Sequence, residues 1–217
     1  KLIKDNLIDI KEDGSFRLVM KFFKYHCGFR MTSKKFHKLF GHAPRKKEEE
    51  IRQFHMDIAA SIQSVTEEIV LKIAKSIKKE TGMKNLCLAG GVALNCVANG
   101  ELNKNKIFEK IWIQPASGDA GSALGAAYVG WHTFHKKNRE ILDTDKMQGT
   151  YLGPNFSNNE IINYLDSINA KYHYFEDEEL FSKVATLIEE GNVIGWFNGR
   201  MEFGPRALGA RSIIGDP

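Results

Sequence analysis

Three arginines stand in one glycine-punctuated stretch, Gly199-Arg200-Met201-Glu202-Phe203-Gly204-Pro205-Arg206-Ala207-Leu208-Gly209-Ala210-Arg211-Ser212. A guanidinium offers a planar fork of donors that grips phosphate or carboxylate oxygens in pairs, and glycines let the backbone wrap such a ligand. A solvated basic loop is the plainer reading, but such loops seldom interleave Phe203, Pro205 and Leu208 with their charges. The stretch therefore reads as an anion site carried by Arg200, Arg206 and Arg211.

Two further segments could carry chemistry. In Leu88-Ala89-Gly90-Gly91-Val92-Ala93-Leu94-Asn95 a strand runs into paired glycines and then a helical stretch, so that backbone N–H groups can approach a phosphate or ribose. A tight turn with no ligand explains the same residues equally well. In Pro115-Ala116-Ser117-Gly118-Asp119-Ala120-Gly121, Asp119 stands where a strand gives way to a helix, the place where open α/β sheets bind ligands and where a carboxylate can hold a cation. Asp is also a common helix cap, and from the residues alone the cap is the stronger reading of Asp119.

The elements that must position these segments follow from periodicity. Apolar residues at Ile51, Phe54, Ile58, Ile62, Val65, Ile69, Ile73 and Ile77 predict a long amphipathic helix over about 48–79, ended by Gly82. A buried strand over 85–89, a helix over 97–104, a strand over 110–114 and a helix over 121–134 follow, and one or two strands are expected within 16–29. After a polar stretch over 136–150, the pattern continues with helices over 158–168 and 178–190 and strands over 171–175 and 192–197. Repeated βα units predict an α/β fold with a mainly parallel sheet and a domain boundary near Gly149.

Composition sets the limits. The 217 residues carry 31 Lys and Arg against 27 Asp and Glu, a net charge of +4 that is far below a nucleic-acid footprint. Cys27, Cys87 and Cys96 form neither a disulfide framework nor a zinc motif, and no apolar run is long enough to span a bilayer, which predicts a cytoplasmic chain. Cys87 and Cys96 are expected to pack as buried hydrophobes, and Trp112, Trp131 and Trp196 to be core. His37 with His42 and His132 with His135 lack a third ligand and read as surface or packing residues. The opening on Lys1 and the close on Gly215-Asp216-Pro217 read as a sequence trimmed at both ends.

Taken together, Asn85 to Cys96, Pro115 to Ala127 and Gly199 to Ser212, in this order, resemble the signatures of NodU/CmcH-type carbamoyltransferases. The resemblance also takes in Arg52 to Gln63 and is weakest over 1–45 and 136–175. It implies that residues 1–140 are the later half of a TsaD-like domain of the actin and sugar-kinase (ASKHA) ATPase fold. Residues 141–150 would be a linker, and 151–217 the beginning of a YrdC-like α/β domain. The implied reaction joins carbamoyl phosphate and ATP into a carbamoyl-adenylate and passes the carbamoyl group to a hydroxylated acceptor. On this resemblance Gly90, Gly91 and Asn95, with Gly118 and Ser212, match cofactor-facing positions, and Arg200, Arg206 and Arg211 match the loop that holds the phosphate. Asp119 matches a carboxylate ligand to a divalent metal, iron or magnesium, shared with histidines outside this sequence.

One departure bears on activity. The family's paired-histidine metal motif has no counterpart in residues 1–47, where His26, His37 and His42 have the wrong spacing. The isolated chain is therefore expected to hold metal poorly and to be inactive alone. Two other functions compete: a sugar-kinase-like ATPase, which needs no arginine loop, and a non-catalytic nucleotide-binding module.

Overall fold

The long helix organises the first part of the chain because its apolar stripe has two clusters to serve. The computed structural model describes residues 1–142 and 144–216; Asp143 in the polar linker and Pro217 in the closing turn lie outside the described residues. Helix α3 spans Gln53–Thr81, starting later than the periodicity predicts. The start is fixed where the His55 ring accepts the Arg52 N–H at 3.0 Å, and the end where left-handed Gly82 returns its N–H to the Lys78 carbonyl at 3.0 Å.

The chain divides into two compact units, one of residues 1–88 and 92–112, the other of 89–91 and 113–217. In the first, α1 (Leu2–Asn6) leads to the antiparallel pair β1 (Ile8–Ile10) and β2 (Phe16–Leu18). Ile3, Leu7, Ile8 and Phe22 bury against Ile69 of α3. Helix α2 (Lys34–Phe40), capped by the Ser33 hydroxyl, lays Phe36, Leu39 and Phe40 on the same cluster. About a turn further along α3, Ala74 meets Leu102 and Phe108 in a second cluster, joined by Leu86, Leu88 and Ile111. Leu102 belongs to α4 (Cys96–Lys104), and Leu86 and Leu88 to β3 (Asn85–Leu88), which pairs with β4 (Lys110–Ile113).

In the second unit α5 (Asp119–Val129) runs into one π-helical turn at Gly130–Phe134. Helix α6 (Asn158–Ser167) begins on a capping box: the Ser157 hydroxyl accepts the Glu160 N–H, and the Glu160 carboxylate accepts the Ser157 N–H at 2.7 Å. Helix α7 (Asp177–Glu189) opens with three acidic residues, which suit the positive end of its dipole. Strands β5 (Ile194–Phe197) and β6 (Arg211–Ile214) pair antiparallel, with Phe197 opposite Arg211 and Trp196 opposite Ser212.

The fold is mixed α/β, but several predicted details change. Two of the three strand pairs are antiparallel, so the described residues do not form the mainly parallel sheet that the βα order predicts. Residues 171–175 are not a strand: Tyr172, Tyr174 and Phe175 supply β propensity, but no strand among the described residues pairs with them. Within 16–29 Phe16–Leu18 is a strand, whose partner β1 comes from an earlier, short Ile-Asp-Ile run, and Phe23 makes an isolated antiparallel bridge to Thr32. Strand β3 alternates between exposed and half-buried positions instead of being buried. Trp112 and Trp131 are 49% and 54% exposed, and Cys87 and Cys96 are exposed too, so apolar type did not translate into burial there.

Candidate active site

Three segments singled out by sequence converge in the second unit. The Gly90 N–H donates to the Ser117 carbonyl at 2.9 Å, which ties the glycine pair to the turn before α5. That turn is closed by the Ser117 hydroxyl donating to the Gln114 carbonyl, and Ala116 at its centre is fully buried. Two glycines make room for Ala116. A Cβ at Gly121 would run into the Ala116 carbonyl, and one at Gly204, in the arginine stretch, would lie 3.2 Å from the Pro115 carbonyl and 3.3 Å from the Ala116 Cα. The arginine stretch thus rests on the turn that presents Asp119.

Asp119 itself does not cap the helix. Gly118 takes the cap position, its carbonyl accepting the Gly121 and Ser122 N–H groups, and Asp119 is the first helical residue, exposed. Its carboxylate has no hydrogen-bond partner among the described residues. No group of three or more ligating side chains that could hold a metal ion occurs among the described residues. Asp119 alone does not make a metal site. Asn95 falls in the first unit and is occupied there. Its side-chain oxygen caps α4 by accepting the Ala98 N–H at 3.0 Å, and its amide exchanges hydrogen bonds with Gln63 at 2.8 and 3.1 Å.

The arginine stretch is built around a carboxylate. Glu202, 7% exposed, accepts on its Oε1 from the N–H groups of Leu208 at 2.6 Å, Ala210 at 2.8 Å and Arg211 at 3.4 Å. Burial opposes its ionisation, but the N–H groups of Ala210 and Leu208, its own, and that of Arg211 outweigh burial and hold its pKa at about 2. The Gly209 N–H goes to the Ser212 hydroxyl at 3.2 Å. The chain returns to β6 through Gly204 and Gly209, both at positive φ of 125° and 104°, which side chains rarely tolerate. Tyr151 adds an anchor by donating its hydroxyl to the Leu208 carbonyl at 2.7 Å.

The three arginines do different work. The Arg211 guanidinium lies 3.3 Å over the Phe197 ring, and its Nη1 donates to the carbonyls of Ala210 at 2.8 Å, Gly199 at 3.1 Å and Asn198 at 3.3 Å. Arg200 donates to the Gly153 carbonyl at 2.8 Å and is otherwise exposed. Arg206 is exposed and has no partner among the described residues, which leaves its whole fork available. Thr150 completes the surround. It is fully buried, it accepts the Phe203 N–H at 2.7 Å, and it adopts a φ of 78°, a costly conformation for a β-branched residue. Glu202, Tyr151 and Thr150 escaped the sequence reading. A lone Glu among arginines gives no local sign that its partners are backbone groups six to nine residues away.

Comparison with known proteins decides the family. Residues 1–128 match the family described as carbamoyltransferase N-terminus, and residues 185–217 match carbamoyltransferase C-terminus. The chain belongs to the carbamoyltransferase family. It is 57% identical over 218 aligned residues to an uncharacterized protein of Synechocystis sp., an alignment covering 100% of this chain and 35% of that one. It is 39% identical over 174 residues to nodulation protein NolO of Bradyrhizobium diazoefficiens, covering 80% of this chain and 31% of that protein. Nodulation protein U of Sinorhizobium fredii is 32% identical over 133 residues, or 61% of this chain and 21% of the relative. The chain spans about a third of the length of the Synechocystis and Bradyrhizobium relatives. The C-terminal match contains the whole arginine stretch, and the N-terminal match contains the Gly90-Gly91 and Asp119 turns. No helix among the described residues is long and apolar enough to cross a membrane.

Proposed function

We propose that this segment belongs to an enzyme that moves a carbamoyl group from carbamoyl phosphate, through a carbamoyl-adenylate made from ATP, to a hydroxyl of a small molecule or saccharide. The observation that carries this reading is the arginine stretch: within a carbamoyltransferase family match, Arg206 extends an unengaged guanidinium from a loop held rigid by a buried carboxylate. Carbamoyl phosphate is a small dianion whose phosphate such a fork fits. In the proposed sequence water attacks the phosphorus of carbamoyl phosphate, the P–O bond to the carbamoyl group breaks, and inorganic phosphate and a proton are released. The freed carbamate oxygen attacks the α-phosphorus of ATP and expels pyrophosphate. The acceptor hydroxyl then adds to the carbamoyl carbon, its proton is lost to a base, and AMP departs. Guanidinium groups would stabilise the negative charge that gathers on the departing phosphate.

In this reading residues up to about 140 belong to an ATPase-fold transfer domain and those from about 151 to the adenylate-forming domain. Gly90, Gly91 and Gly118 would face the nucleotide. Asp119 would serve a metal only in company with donors from outside this sequence. The test is product analysis with a full-length protein carrying this segment, given ATP and carbamoyl phosphate, beside its Arg206→Ala variant. The expected outcome is AMP and pyrophosphate from the parent, with the variant reduced at least about a hundred-fold, the scale on which removal of one charge-stabilising donor acts. ADP in place of AMP would instead favour a kinase-like ATPase.

A further inference from the structure

Glycine-rich loops usually offer their backbone N–H groups to an anion. In this one the four consecutive N–H groups of residues 208–211 are already taken: Leu208, Ala210 and Arg211 donate to Glu202 and Gly209 donates to Ser212. The loop has filled its own anion nest with a carboxylate from within the same stretch. Arg211 is likewise turned inward, stacked on Phe197 and bonded to three carbonyls. Of the three arginines, Arg206 is the one whose whole fork is free among the described residues, since Arg200 spends one donor on the Gly153 carbonyl; Arg206 lies in sequence between Glu202 and the N–H groups it gathers.

We propose that Glu202 is the positioning residue of the anion site: by closing the 203–211 turn on one oxygen, Oε1, it sets the direction in which Arg206 meets the phosphate of carbamoyl phosphate. This rests on the carbamoyl-transfer reading only for the identity of the anion. Glu202 touches no substrate; it acts through Arg206. A carboxylate held by backbone N–H groups, with its proton affinity lowered by them, stays ionised and keeps the turn closed throughout the neutral range.

The experiment is a binding cycle by calorimetry on the full-length protein, titrated separately with carbamoyl phosphate, inorganic phosphate and ATP. Glu202→Ala should weaken carbamoyl phosphate binding about ten-fold or more, the size of a lost charge-assisted contact, with ATP affinity unchanged. Glu202→Gln, whose amide oxygen still accepts the N–H groups, should stay within about three-fold of the parent, which guards against a variant that simply misfolds. The decisive comparison is the double variant: Glu202→Ala with Arg206→Ala should bind no more weakly than Arg206→Ala alone, because both remove one interaction. Additive losses, or a Glu202→Ala variant that loses ATP and carbamoyl phosphate alike, would overturn the proposal. So would a parent that binds neither carbamoyl phosphate nor inorganic phosphate. A parent that binds carbamoyl phosphate but releases no AMP would sink the carbamoyl-transfer reading while the cycle still judges Glu202.

Discussion

At the scale of single residues, the carboxylate of Glu202 has the sharpest physical signature. Its pKa is about 2 in the fold against an ordinary 4.5. A carboxylate depressed in the native state adds stability that is complete above its unfolded pKa and is lost as pH falls toward the folded value, because the unfolded chain binds the proton first. Acid unfolding should therefore show a contribution present above about pH 4.5 and lost between there and about pH 2. Glu202→Gln should remove this dependence and lower stability by about 1 kcal/mol at neutral pH, the difference between charged and neutral acceptors. Parallel parent and variant curves across that window would contradict the geometry. Arg211 teaches the complementary lesson. Its charge, read from sequence as a phosphate ligand, is spent on Phe197 and three carbonyls of its own strand ends.

At the scale of elements, helix α3 tests how far periodicity determines structure. Gly82 and Gly14 both hold positive φ, 65° and 86°, but in different surroundings. A Cβ at Gly82 would meet nothing within 4 Å, whereas one at Gly14 would stand 2.5 Å from the Ile73 backbone nitrogen on α3. Gly82→Ala should therefore cost about 1 kcal/mol of backbone strain. Gly14→Ala should cost roughly 3 kcal/mol or more, since the β1–β2 turn must also draw back from the helix. Denaturant unfolding of the two variants reads the difference directly, and equal losses would mean that the turn does not pack on α3 as described.

At the scale of the molecule, stability rests on few fully buried side chains, and Leu102 is the largest apolar one at 0% exposure. It fills the cluster with Ala74 and Phe108, so Leu102→Ala should cost about 2–5 kcal/mol in denaturant unfolding. Many large apolar residues stay exposed, Phe134 and Ile213 among them at 80% and 83%. Their types would have predicted burial in a chain of this composition.

The sequence alone determined what local forces control. The 3.6-residue stripe of α3, the Gly82 stop and the order of the three chemical segments were all legible in it, because each depends on neighbours within a turn or on residue type. Membership in the carbamoyltransferase family followed from those segments as well. Only tertiary structure decided the rest. The antiparallel pairing of β5 with β6, the contact of Gly204 with Ala116 and the division of labour among Arg200, Arg206 and Arg211 rest on partners brought together by folding. A guanidinium or a carboxylate has the same formula whether it faces solvent or a ring of backbone groups. Which it meets is set by the path of the chain, and periodicity carries no record of that path.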